Sequence, residues 1–180
     1  MELSETTKKF VLHWGEMGTS WGVNRSVAQI HALLYFIGKP LNSEEIAITL
    51  GLARSNVSNS IKELLSWQLI SVTHLMGDRR DHYSTQSDAW ELLRVIVKGR
   101  KEREFDPTIK TLSDLIETEA FAKEPLDAQK RVRETLALMQ SLTAWSEEML
   151  RLEPSTLHKV IQLGARVQQF VRGSQSSSKK

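Results

Sequence analysis

Apolar residues recur along this chain at spacings of three and four nearly everywhere, and at two in one short stretch. The pattern predicts a run of helices interrupted by one small hairpin. Residues 3–17 carry Leu3, Thr7, Phe10, Val11, Trp14 and Met17 on one stripe, and Gly15, Gly18 and Gly22 read as a bend around Trp21. A second helix runs from about Asn24 to Ile37. Val27, Ile30, Leu34 and Ile37 form its main face, but Ala28, Leu33 and Tyr35 make it apolar elsewhere too, which suits a centrally packed helix. Gly38-Lys39-Pro40 ends it.

Asn42 with Glu45 three residues later predicts a capping box opening a short helix, and Gly51 stops that helix in a tight turn. The next helix places Val57, Ile61, Leu64 and Leu65 inward. Beyond Trp67 the period changes to two. Ile70, Val72 and His74 alternate with Ser71 and Thr73, Gly77-Asp78-Arg79-Arg80 turns, and 81–85 returns as the second arm of a β-hairpin. Helices resume from Ser87, with Trp90, Leu93, Val97 and Ile96 on a stripe. A new helix is expected at Asp106-Pro107, running to about Phe121, then a long one over about 127–152 and a last one over 157–170.

Helix, helix-turn-helix and hairpin in that order predict a mainly α fold: a winged helix-turn-helix with a small β-hairpin wing, flanked by N- and C-terminal dimerisation helices. The expected division is 1–22 for the N-terminal dimerisation helix and 23–86 for the winged helix. A helical dimerisation region over 87–172 follows, then a disordered Ser-rich tail over 173–180.

Composition narrows the chemistry. The chain has 180 residues, 40% hydrophobic and 26% charged, with a net charge of +2 that by itself does not point to nucleic acid. With no cysteine, disulfides, thiolate zinc sites and thiol nucleophiles are all excluded. The five histidines lack helical metal-ligand spacing, and no hydrolase, zinc-protease or dinucleotide motif is present, so neither a cofactor nor an enzyme is expected. No apolar run is long enough to span a membrane and no signal-peptide pattern opens the chain, so the expected location is cytoplasmic.

The chemistry that remains lies on the second helix of the helix-turn-helix. Arg54, Ser55, Asn56, Ser58, Asn59 and Lys62 face away from its inward stripe. A merely solvated face would carry Glu and Lys, which favour helix, whereas Ser and Asn disfavour it. Arg matches guanine N7 and O6, Asn matches adenine N6 and N7, and Ser serves bases or phosphates. Arg79 and Arg80 at the hairpin tip are placed to reach a minor groove or its phosphates. Asp78 or Asp81 beside them can engage an arginine within the turn. These residues predict binding to double-stranded DNA at a pseudo-palindromic operator, two recognition helices of a homodimer standing about 34 Å apart. The competing reading is a winged-helix protein-interaction module without DNA readout, which predicts apolar residues on that exposed face. Of the five tryptophans, Trp14, Trp21, Trp67 and Trp90 suit packing at helix junctions, and Trp145, mid-helix, is the candidate for binding a small-molecule effector.

Several segments carry a family resemblance: Ile37-Gly38-Lys39-Pro40-Leu41, Glu45-Ile46-Ala47, Leu50-Gly51-Leu52 with Ser55-Asn56-Val57-Ser58, and Lys62-Glu63-Leu64-Leu65-Ser66-Trp67. Together with the wing element Met76-Gly77-Asp78-Arg79-Arg80-Asp81-His82-Tyr83, they resemble the GbsR-type regulators of the MarR superfamily over about residues 23–90. The resemblance implies a homodimeric repressor or activator responsive to a small molecule, with helices from both chain ends forming the dimer interface. Some members of that family regulate osmoprotectant uptake or synthesis and sense choline in an aromatic cage.

Overall fold

The computed structural model describes residues 1–163. They form two compact units, one from Met1 to Gly99 and one beginning at Arg100. The first unit is built around α2 (Arg25–Ile37), which buries Val27, Ala28, Ile30, Ala32, Leu33 and Leu34. That is the helix the sequence marks as apolar on several sides. Around it lie α1 (Glu5–Ser20), α3 (Ser43–Leu50), α4 (Arg54–Ser66) and a small sheet.

α1 begins at Ser4, whose hydroxyl accepts from Thr7 N–H. It continues three residues past the expected end, through Gly15 and Gly18, and only Gly22 turns. The two helical glycines are therefore contacts, not a bend. A Cβ on Gly18 would sit 2.5 Å from the Ala28 Cβ, and one on Gly15 would sit 2.6 Å from Gln29 Cγ. Their absent side chains let the α1 backbone lie directly on α2 of the same chain, and Phe10 completes the seam against Trp14 and Phe36.

The capping box at the start of α3 forms as expected. The Asn42 side chain accepts from Glu44 and Glu45 N–H at 3.0 Å each, and Glu45 accepts from Asn42 N–H at 2.8 Å. Gly51 takes φ +64°, a left-handed conformation that an L side chain adopts at a cost, and so sets the angle between α3 and α4. Val57, Ile61 and Leu64 seat α4 in the core.

The hairpin gains a strand the sequence did not reveal. β1 (Leu41–Asn42) pairs with β3 (His82–Thr85), which pairs with β2 (Ile70–Thr73), giving the antiparallel order β1-β3-β2. Two residues between Pro40 and a helix cap carry no strand period of their own. The ladder, Leu41 opposite Tyr83 and Asn42 opposite His82, creates the strand. Alternation along β2 also fades: Ile70 is buried, but Val72, nearer the wing, is exposed.

α5 (Ala89–Arg100) leads into the second unit, where Asp106-Pro107 does not start a fresh helix. Lys101–Phe105 forms a π-helical turn in which Asp106 N–H bonds to the Lys101 carbonyl, and α6 (Asp106–Ile116) follows with Asp106 itself helical. The wider turn accommodates a proline that lacks an N–H, while Asp106 receives Lys101 Nζ at 2.9 Å rather than capping. Glu147 of α8 joins the same ammonium at 3.1 Å. α6 ends at Ile116, short of Phe121, which lies in the separate α7 (Glu119–Ala122) capped by Thr118. α8 (Leu126–Arg151) spans 26 residues, and Pro154 opens a further helical segment described as far as Leu163. Gly164, Val167, Phe170 and the tail lie outside the described residues. Among those described, no helix is long and apolar enough to cross a membrane.

One core polar group makes the fold sensitive to acid. Thr85 donates its hydroxyl to the Leu69 carbonyl at 2.7 Å, so the 3.1 Å contact from His31 to that hydroxyl is a donation from Nε2–H. Burial lowers the His31 pKa from 6.5 to about 4. The unfolded chain therefore binds this proton below pH 6.5 while the folded chain stays neutral down to about 4. Stability from the neutral ring is complete above pH 6.5 and declines as pH falls toward 4. Denaturant unfolding of the wild type and His31→Gln at pH 7.5 and 4.5 should show the wild type losing roughly 2 kcal/mol more than the variant on acidification.

Candidate nucleic-acid interface

α4 presents its polar face because three positions have no freedom to rotate. With Val57, Ile61 and Leu64 almost completely covered, the 3.6-residue period turns Arg54, Ser55, Ser58, Asn59 and Lys62 to solvent. Thirteen residues at about 1.5 Å each give a helix of roughly 20 Å, a length that a DNA major groove admits.

Asn56 behaves differently from its neighbours. It is half-buried, its Nδ2 donates to Ser26 Oγ of α2 at 2.9 Å, and its Oδ1 faces the buried Ser60 hydroxyl at 3.5 Å. Its position one residue before Val57 puts it on the shoulder of the inward stripe. The amide expected to read a base is engaged inside the chain, and only packing against α2 reveals this. Ser26 has no sequence signal that would have singled it out. A double-mutant cycle of Asn56→Ala and Ser26→Ala should return a coupling of about 1 kcal/mol in folding stability. Additive singles would mean the bond contributes nothing.

The wing is organised by Asp78. Its carboxylate accepts Arg80 N–H at 2.9 Å and Arg80 Nε at 3.0 Å, with Nη2 at 2.5 Å. Arg80 thereby holds the Asp78 carboxyl well below the usual carboxylate range, so the clasp persists at any physiological pH. Buried His82 extends the clasp: Nδ1 meets the Arg80 carbonyl at 3.0 Å and Nε2 lies 3.6 Å from Asp78. Asp81, the other carboxylate beside the arginines, lies 3.7 Å from His74 instead. Arg79 is exposed and makes no ion pair among the described residues.

Glu44, an acid in the first turn of α3, links the two surfaces. Glu44 Oε1 lies 2.6 Å from Arg54 Nη2, and Glu44 Oε2 lies 3.9 Å from Arg80 Nη1. The α4 arginine and the wing arginine thus converge on one carboxylate of α3, although 26 positions separate Arg54 from Arg80 in the sequence. Trp145 stands on α8 with 62% of its surface exposed, and no second ring stacks on it among the described residues. Trp67 packs instead, its ring 3.0 Å from where a Cβ on Gly99 would lie.

No family model and no curated protein matches the chain. Solved structures do. A crystal structure of a transcriptional regulator is similar at 21% identity with a TM-score of 0.57, covering 87% of this chain and 99% of that one. A MarR-family transcriptional regulator from Rhodococcus sp. RHA1 has 19% identity over 77% of this chain and 87% of its own, with a TM-score of 0.37. A mutant of the Staphylococcus aureus regulator MepR bound to an oligodeoxyribonucleotide has 17% identity over 76% and 88%, with a TM-score of 0.38. The match to the first covers 99% of that chain, and with the mostly helical architecture and three-stranded antiparallel sheet it identifies the fold as a winged helix.

Proposed function

We propose that this protein is a sequence-specific DNA-binding regulator of the GbsR type that acts as a homodimer. The observation that carries the reading is the exposed face of α4. Arg54, Ser55, Ser58, Asn59 and Lys62 all stand in solvent on a helix whose opposite side is locked into the core. Arg54, Ser58 and Asn59 face base edges, Ser55 and Lys62 serve phosphates, and Asn56 fixes the rotation of the helix through Ser26. Arg79 and Arg80 add phosphate or minor-groove contacts from the wing. A protein-docking face would be apolar, and this one is not.

Anisotropy titrations with the duplex upstream of the protein's own gene and with a scrambled duplex test the assignment. Arg54→Ala should weaken binding to the specific duplex by roughly ten-fold or more, since a bidentate base contact is worth about 1–3 kcal/mol. Arg79→Ala should weaken both duplexes alike and lower the salt slope by about 1. Equal wild-type affinity for the two duplexes would refute base reading.

The dimer reading rests on the second unit. Leu138, Leu142 and Trp145 follow one another at four and three along α8, and all are exposed. Three large apolar side chains on one helix face suit a matching face in a second copy, a surface open enough to admit an effector beside Trp145. Leu142→Glu with Trp145→Glu should convert the wild-type dimer to monomer in sedimentation velocity. A double variant that remains dimeric would place the interface elsewhere. On this reading the output is repression, relieved when a small molecule alters the spacing of the two recognition helices.

A further inference from the structure

We infer that Glu44 sets DNA specificity, by holding Arg54 and Arg80 against sequence-blind phosphate binding. The inference rests on the DNA-binding reading and goes beyond it. The geometry has three parts. Glu44 sits in the first turn of α3, whose capping box is made by Asn42 and Glu45, so its own carboxylate is not needed for the cap. Oε1 takes one nitrogen of Arg54 at 2.6 Å, leaving that guanidinium's Nη1 and Nε edge without a hydrogen-bond partner among the described residues. Oε2 lies 3.9 Å from Arg80 Nη1, the end of Arg80 that Asp78 does not hold.

An exposed ion pair of this kind contributes too little to folding to explain the arrangement by stability. Its effect on binding is larger, because it acts on the two energies that make up specificity in opposite directions. Sequence-blind affinity comes almost wholly from cations replacing counterions at phosphates. A carboxylate lodged between two of those cations repels the phosphate and lowers that affinity. Base reading by Arg54 needs a guanidinium held in a fixed plane, and one engaged edge holds it while the other edge faces the groove. Glu44 is therefore a positioning residue at the junction of α3, α4 and the wing. It weakens binding to any DNA and preserves binding to the fitted site.

The experiment compares full-length wild type, Glu44→Gln and Glu63→Gln on two duplexes. One is recovered by selection from random-sequence DNA with the wild type, and the other is a scramble of equal length. Glu63 is an exposed acid on α4, so its variant removes the same charge without touching either arginine's partner. Glu44→Gln should tighten the scrambled duplex by roughly five-fold with a salt slope steeper by about 1. It should leave the selected duplex unchanged or weaker, so that the specificity ratio falls by roughly five-fold or more. Glu63→Gln should shift both duplexes by the same factor. If Glu44→Gln also moves both duplexes equally while the wild type discriminates between them, Glu44 is a plain surface charge and the inference fails alone. If selection enriches no sequence for the wild type, base reading fails and the inference falls with it. Thermal melts of the variants confirm that each is folded, and Glu44→Asp, which keeps the charge but shortens the reach, should weaken the selected duplex while leaving the scrambled duplex near its wild-type affinity.

Discussion

The polar face of α4 depends on its apolar back. Ser55, Asn56, Ser58, Asn59 and Ser60 each cost about 0.5 kcal/mol relative to alanine in a helix, or roughly 2–3 kcal/mol together. Burying Val57, Ile61 and Leu64 against the core around α2 contributes about 1.5–3 kcal/mol apiece, an upper figure that still exceeds the propensity cost. Tertiary packing therefore makes a helix from a sequence that is a poor helix in isolation. That same packing fixes which residues face outward. A helix face made of hydroxyls and amides is affordable only on such a seat.

The wing depends on a different force. Its turn has little apolar material, and Met76 at its tip is fully exposed. Shape comes from charge-assisted hydrogen bonds: Asp78 grips Arg80 through both backbone and side chain, and His82 supports the clasp from below. β1 then anchors β3 to the start of α3, so the capping box of α3 and the root of the wing meet at Asn42 and His82. This is why Glu44, in the first turn of α3, stands within reach of both a wing arginine and the first residue of α4.

The second unit shows how the same kind of local signal can point two ways. Asp before Pro is a good helix start where chain precedes it in loop form. Here Lys101, one π turn earlier, gives Asp106 an ionic partner that Glu147 on α8 shares, and the backbone stays helical. Among this unit's described residues few large apolar side chains are covered, Phe121 under Arg133 and Leu136 among them, whereas Leu138, Leu142 and Trp145 remain open.

What the residues determined by themselves was everything that acts over a few positions. Helical stripes, the Asn42–Glu45 box, the left-handed Gly51 and the turn at Gly77 are set by periodicity and backbone sterics, and each was legible in order along the chain. The polar face of α4 was legible too, because Ser and Asn are so unfavourable there without a use. Only tertiary structure decided which of those polar groups face outward and which are held inside. Asn56 turns to Ser26, 30 positions away, and Arg54 and Arg80 meet at Glu44. Gly15 and Gly18 serve α2 rather than a bend, and two residues after Pro40 become a strand. In every such case the partner is distant in sequence, and a hydrogen bond, an ion pair or a close backbone approach leaves no periodic trace in the chain that makes it.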